Sequence, residues 1–332
     1  MKRVLLNVEA PRRIIGGNAN GGVEDMVGDG SAGAHERPAI GESNAIPGKA
    51  GSSIERLTGL LGDPVAHSLS PAMHNAAFAE LGVGCRYIAF RVAAEDFDAA
   101  MEGLRALGAI GVNITVPHKE RAFRWVRRLD SSAKRTGAVN TVLFRGEEAG
   151  GYNTDVAGAR AAIRSLAPRR GQALVLGAGG AARAAICALL DEGFERIVLS
   201  NRSRERATKL LDDLAGSDGS SRLAELKILP WGSTPGAAPD LTVNATSLGL
   251  DGTPWPEGFL DGVLKAGSGA VLDLVYSREG DTPLCSEAKK RGIPSASGIE
   301  MLLQQGAEAF TIFTGLPAPV DAMRGALELR SE

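Results

Sequence analysis

Histidine and cysteine are scarce in this chain, with four and three copies among 332 residues. Cys85, Cys187 and Cys285 lie far apart, match no metal-ligand spacing and read as reduced core thiols of a cytosolic protein. With no cysteine pair and so few histidines, no metal site is expected. Nor is there an uninterrupted apolar run of roughly 18 residues, so no membrane span is expected. The opening "MKRVLLNVEAPRR" is basic, but its apolar run breaks at Asn7 and Glu9, too early for a signal peptide. Arg12-Arg13 is followed by "IIGGNANGG" instead of an apolar core, which argues against twin-arginine export. Excess charge is also missing: the net value is −2, and nothing in it favours nucleic acid or an anionic membrane. Asn113, Asn201 and Asn244 each head an Asn-x-Ser/Thr match, but without an export signal these are not expected to be glycosylated.

What is present is an ordinary globular composition, 44% hydrophobic and 23% charged, in a chain long enough for two domains. Residues 1–53 stand apart, with ten glycines, no aromatic residue and neither helical nor strand periodicity. They are expected to form a disordered extension or a mis-assigned start. From "ERLTGLLGDP" onward the pattern alternates. "RLTGLLG", "CRYIAFRV" and "AIGVNITV" read as strands, separated by helices over Pro71 to Leu81 and Asp96 to Leu107. Helical "KERAFRWVRRL" follows, then a strand pair around "AVNTVLFR" and "GYNTD", then a helix from Val156 to Leu166. The rest is a βαβ series whose apolar strands predict a parallel sheet covered on both faces. "GIEMLLQQGAEAFTIFTG" closes it as an amphipathic helix.

The turn "LGAGGAAR" follows an apolar strand and opens a helix, the context that gives a G-x-G-x-x-A pattern its meaning. Gly177 permits the tight turn, and Gly179 lets the backbone approach a pyrophosphate. Ala182 packs helix on strand, and the helix N-terminus offers free N–H groups to phosphate. A carboxylate about 20 residues further on would bind the 2′-hydroxyl of NAD. Here the next strand ends in "SNRSRER", placing Asn201 and Arg202 there with Arg204 and Arg206 close behind. Guanidinium in place of carboxylate suits the 2′-phosphate of NADP. Arg204 is the one expected simply to face solvent.

Polar side chains also gather at the ends of apolar segments in the first half: Ser68 and Ser70, Asn113, Thr115 and Lys119, Asn140, and Asp155. Asn113 and Thr115 share one strand face, since side chains alternate with period two, and Lys119 follows about one turn on. Each also has a plain structural reading. Ser70 could cap the helix ahead of Pro71, Asp155 could cap the helix from Val156, and Lys119 could be exposed. His67, His74 and His118 are assigned to structure.

Taken in order, "GDPVAHSLSPAMHN", "GVNITVPHKE", "GAVNT", "GYNTD", "GAGGAAR", "NRSRER", "NATSLG" and "GIEMLLQQ" strongly resemble shikimate dehydrogenase across about residues 56–325. The resemblance implies an α/β protein in which an N-terminal substrate domain with a mixed, mostly parallel sheet (54–156) precedes a Rossmann-like NADP-binding domain (157–299). A helix at about 300–328 would return to complete the substrate domain. The implied activity is NADPH-dependent reduction of 3-dehydroshikimate to shikimate on the route to aromatic amino acids. Lys119 and Asp155 would flank the reacting C3 oxygen. Ser68 and Ser70 would bind the substrate carboxylate, with Thr115 alongside and Tyr276 reaching in. Asn113, Asn140 and Gln305 would complete the substrate set. NADP would meet Gly177, Ala178, Gly179, Gly180, Ala181, Asn201, Arg202, Ser203, Arg206, Leu274 and Gly298. A small-molecule partner and a cytoplasmic site are expected, with a homodimer left open. A catabolic quinate/shikimate enzyme and a non-catalytic NADP- or substrate-sensing relative are the alternatives.

Overall fold

The computed structural model of the protein describes residues 56–217, 224–233, 235–250, 253–265, 267–277 and 280–328. The expectations for residues 1–53 lie outside that range. Among the described residues, no helix is long and apolar enough to cross a membrane.

Period-two alternation in the first half builds a six-stranded mixed sheet. Its strands are β1 (Arg56–Gly62), β2 (Cys85–Arg91), β3 (Gly111–Ile114), β4 (Arg128–Leu129), β5 (Thr141–Arg145) and β6 (Glu148–Tyr152), in the order β2-β1-β3-β5-β6-β4. β1 runs parallel to β2 and β3, whereas β5 is antiparallel to both β3 and β6. Neighbouring residues serve opposite faces: Leu60 and Leu143 join one apolar cluster, Leu61, Val142 and Phe144 the other. The first cluster is covered by α1 (Ser70–Glu80) and the C-terminal helices, the second by α2 (Phe97–Ala106) and α3 (Lys119–Trp125). A short helix, α4 (Ser131–Thr136), is capped by Asp130, whose carboxylate accepts from the Ala133 amide at 2.9 Å.

Helix α5 (Asp155–Leu166) carries the chain to a second six-stranded sheet. This one comprises β7 (Gln172–Leu176), β8 (Arg196–Asn201), β9 (Glu225–Pro230), β10 (Leu241–Asn244), β11 (Ala270–Asp273) and β12 (Ser295–Ala296). All its pairings are parallel and the order is β12-β11-β10-β7-β8-β9, the doubly wound dinucleotide-binding arrangement. α6 (Gly180–Asp191) and α7 (Arg204–Ser217) cover one face with α5, while α8 (Phe259–Val263) and α9 (Pro283–Lys290) cover the other. The strand order reverses between β7 and β10, and this opens a crevice at their C-terminal ends.

Two boundaries differ from the sequence expectation. "RRL" is not helical: α3 stops at Trp125, and Arg128–Leu129 forms the edge strand β4 beside β6. The segment 300–328 is two helices, α10 (Gly298–Thr314) and α11 (Val320–Glu328). Gly315, at φ 72°, ends the first, and the prolines at 317 and 319 interrupt the pattern before the second begins. Both pack back on the first sheet, where Leu303, Phe310, Phe313, Met323 and Leu327 share a cluster with Met73 and Phe78.

Candidate active site

Lys119 opens α3 just beyond the C-terminal end of β3. The residue before it, His118, is buried. Its Nε2 lies 2.8 Å from the Val92 carbonyl oxygen, and its ring stacks on Phe97 with centroids 5.1 Å apart. That anchor sets where α3 starts and so where Lys119 emerges. Lys119 Nζ donates to Asp155 Oδ2 at 2.5 Å. Asp155 is the first residue of α5, where the positive end of the helix dipole favours a carboxylate. It does not cap that helix; Thr154 holds the N-cap position, without a side-chain bond to the helix amides. The Lys119 side chain is 20% exposed and that of Asp155 9%, so the pair sits at the wall of a cleft.

Behind the pair lies a buried polar cluster set by sheet register. Asn113 on β3 pairs with Thr141 on β5, and Thr141 pairs with Tyr152 on β6. Asn140, one residue before β5, donates from Nδ2 to Asp155 Oδ1 at 2.8 Å and to Thr154 Oγ1 at 3.0 Å. Gln305 reaches in from α10, its Oε1 accepting from Thr154 Oγ1 at 3.4 Å. Ser68 Oγ accepts from the Ser70 amide at 3.2 Å. Ser70 is buried as the first residue of α1 and is not the cap, since Leu69 holds that position. Thr115 is half-buried at the end of β3, and Gly62 leaves it room: a Cβ there would fall 2.3 Å from Thr115 Cγ2. Tyr276 packs against the cluster that contains Met73 and Phe310, so a loop of the second sheet reaches the first.

The crevice of the second sheet holds a hollow of about 310 Å³. It is lined by the turn Gly177–Ala178–Gly179, by Asn201, Arg202 and Arg206, and by Trp231 and residues 245–248. Gly177 has φ 105°, and a Cβ on it would stand 2.7 Å from the Ala245 carbonyl oxygen, so only glycine fits. Nothing lies within 4 Å of a Cβ built on Gly179, which leaves the space over the turn open for a pyrophosphate. Arg202, Arg204 and Arg206 are all exposed, but only the first and last border the hollow. The residues present therefore fit a phosphate-bearing dinucleotide.

Other sequence candidates lie beside this hollow, away from its wall. Ser203 caps α7, its Oγ accepting from the Arg206 amide at 3.2 Å. Gly180 and Ala181 begin α6, and a Cβ on Gly180 would stand 3.9 Å from Lys119 Cδ, so the glycine turn abuts the Lys119–Asp155 pair. Gly298 and Leu274 face each other, with a Cβ on Gly298 falling 2.4 Å from the Leu274 carbonyl oxygen.

Residues absent from the sequence expectation also line or brace the site. Trp231 and the loop 245–248 border the hollow. Asn244 holds that loop, accepting on Oδ1 from Thr246 N and Oγ1 and donating to the Leu248 carbonyl oxygen and to Asp273. Burial pushes the Asp273 carboxyl above its ordinary value, opposed by hydrogen bonds from Thr282, Asn244 and the Val275 amide. "NATSLG" at a strand end carried a signal for this loop. Tyr87, in the middle of β2, carried none, and neither did Thr141 at the start of β5.

The chain matches the model of the shikimate dehydrogenase substrate binding domain over residues 60–142. It also matches shikimate / quinate 5-dehydrogenase over 160–229 and the shikimate 5′-dehydrogenase C-terminal domain over 298–328. The shikimate dehydrogenase (NADP(+)) of Natronomonas pharaonis is 46% identical over 274 residues, covering 81% of this chain and 97% of that one. The chain belongs to the shikimate dehydrogenase family. Within it, the enzyme of Thermus thermophilus, solved with NADP(H) and shikimate, superposes with a TM-score of 0.71 at 36% identity, covering 83% of this chain and 99% of that one. A quinate dehydrogenase from Corynebacterium glutamicum, solved with NAD, gives 0.73 at 27% identity, covering 82% and 98%.

Proposed function

We propose that the protein catalyses the reversible NADPH-dependent reduction of 3-dehydroshikimate to shikimate. The observation that carries this reading is the Lys119–Asp155 pair, 2.5 Å apart and adjoining the first turn of α6 beside the glycine turn. Gly177, Gly179, Asn201, Arg202 and Arg206 would hold the dinucleotide, which would supply the hydride when bound. The first sheet would hold the acid: Ser68, Ser70, Thr115 and Tyr276 toward its carboxylate, Asn140 and Gln305 toward its hydroxyls, and Asn113 behind Asn140, its amide taken up by Tyr87, Thr141 and the Asn140 carbonyl oxygen. Uncharged donors and acceptors of this kind suit a polyhydroxylated ring. Lys119 Nζ donates to the ketone oxygen as negative charge develops there and passes it a proton, a contribution made mainly in the transition state. Asp155 orients the ammonium and accepts from the neighbouring hydroxyl. Three buried cysteines, far apart in the sequence, support a cytoplasmic location.

The test is an assay of the purified protein with shikimate and quinate, each with NADP and NAD. The expected result is turnover of shikimate with NADP at a kcat/KM well above the other three pairs. Faster turnover of quinate with NAD would replace this reading with the catabolic one. No turnover of any pair, with retained NADPH binding, would make the protein a sensing relative.

A further inference from the structure

Four hydrogen bonds run head to tail through the first sheet, and every one points the same way, with side branches from Asn113 Nδ2 to the Asn140 carbonyl oxygen and from the Thr154 amide and hydroxyl to Asn140 Oδ1. Tyr87 Oη donates to Asn113 Oδ1 at 2.8 Å, and Asn113 Nδ2 donates to Thr141 Oγ1 at 2.9 Å. Thr141 Oγ1 donates to Asn140 Oδ1 at 3.0 Å, and Asn140 Nδ2 donates to Asp155 Oδ1 at 2.8 Å. All five side chains belong to buried residues, so water does not substitute for a missing partner. A carboxylate is acceptor-only, and a phenol hydroxyl has one proton to give. The two ends set the direction, the Thr154 amide donating to Asn140 Oδ1 at 2.8 Å agrees with it, and both amides in between are held with oxygen toward Tyr87 and nitrogen toward Asp155. Flipping either amide would set donor against donor at one of its contacts.

Tyr87 is itself well fixed. Its ring stacks on His74 with centroids 4.3 Å apart and planes within 2°. Burial pushes its phenol far above the usual range, opposed by a hydrogen bond with Ser70, so the hydroxyl stays protonated. β1 separates β2 from β3, and Tyr87 reaches across it to Asn113 from the same sheet face as Leu60.

We propose that Tyr87, which touches neither Lys119 nor Asp155, is a positioning residue that orients the Asn113 and Asn140 amides and through them the Asp155 carboxylate. The proposal rests on the reading of Lys119 and Asp155 as the catalytic pair. Substituting Tyr87→Phe keeps the ring stack and removes the head of the file together with the hydrogen bond with Ser70, whereas Thr141 lies away from Ser70 in the chain of bonds. Thr141→Val breaks the file in the middle at nearly constant volume, and Thr141→Ser restores the hydroxyl.

The experiment compares these variants in steady-state kinetics and in protein labelled with 15N-asparagine. Tyr87→Phe is expected to lower kcat for the acid about 10-fold, the size of one buried hydrogen bond, while the KM for NADPH stays within about two-fold. Thr141→Val should do the same, Thr141→Ser should stay near wild type, and the Tyr87→Phe/Thr141→Val double variant should be no worse than either single change. The side-chain amide protons of Asn113 and Asn140 should exchange slowly in the wild type and faster at both positions in Tyr87→Phe. Unchanged Asn140 exchange in Tyr87→Phe, or additive losses in the double variant, would overturn the proposal. If the wild type does not reduce 3-dehydroshikimate, the functional reading fails, and the asparagine exchange still decides the role of Tyr87.

Discussion

At the scale of single residues, Lys119 is the change with the most specific consequence. Positioned proton donors and charge-stabilising groups contribute typically ~10²–10⁴-fold to rate. Lys119→Met should therefore lower kcat by that order in steady-state assays, with KM within a few-fold because the other polar groups still hold the ring. A raised KM at unchanged kcat would make Lys119 a binding residue instead. The cofactor end gives a second prediction. Arg202 and Arg206 border the hollow, and no carboxylate lines it among the described residues. An NADP over NAD preference of roughly 10²-fold in kcat/KM is expected from two solvent-facing guanidinium contacts to the 2′-phosphate. The preference should shrink as salt rises. Arg202→Ala with Arg206→Ala should remove most of it and spare NAD turnover; equal kcat/KM for the two cofactors in the wild type would refute it. These residues were legible in the sequence because each sits at the end of an apolar segment, where a polar side chain needs a reason. Tyr87 was not legible: in "CRYIAFR" it is one more large residue on a strand, and only its neighbour across β1 gives its hydroxyl a role.

At the scale of elements, the crossing of α5 and α10 decides how the two sheets meet. Gly158 allows it, because a Cβ there would stand 2.6 Å from the Met301 carbonyl oxygen and 3.0 Å from Gln305 Cβ. A backbone oxygen at that distance does not give way cheaply. In an exposed helix Gly→Ala stabilises by about 1 kcal/mol. Here the sign reverses, and Gly158→Ala should cost roughly 1–3 kcal/mol through overpacking, measured by denaturant unfolding. It should also raise the KM for the acid, since Gln305 rides on the displaced helix. Helix existence was readable from periodicity, but the limits were set by partners. "RRL" continues a helical pattern on paper, yet pairing with β6 converts Arg128 and Leu129 into strand. The break between α10 and α11 had a local cause in Gly315 and the two prolines that follow it.

At the scale of the whole molecule, stability should carry the signature of one buried base. His74 is fully buried, has no hydrogen-bond partner on either ring nitrogen among the described residues, and is held down to about 3 by desolvation. In the unfolded chain the imidazole takes a proton near its ordinary value of 6.5. Between those values the unfolded state binds one more proton than the folded state, so stability rises with pH through that window. The contribution is complete above about 6.5 and is lost toward pH 3, at ~1.4 kcal/mol per pH unit. His74→Phe preserves ring packing and should flatten the slope of unfolding free energy against pH by that amount. Identical slopes for the two proteins would show that His74 is protonated in the fold.

Short-range pattern determined much of this protein. The βαβ rhythm, the all-parallel second sheet, the glycine turn with arginines after the next strand, and the list of polar side chains at strand ends all follow from spacings within about 30 residues. Local sterics and hydrophobic periodicity act over that range. The tertiary structure decided which of those side chains meet. Lys119 and Asp155 lie 36 residues apart, Thr154 and Gln305 lie 151 apart, and no local rule pairs them. Sheet order and register made the pairings, by setting Asn113 opposite Thr141 and by bringing α10 back across α5. Those are long-range choices, settled by burying the apolar faces of both sheets at once, and the chain's own sequence neighbours do not encode them one at a time.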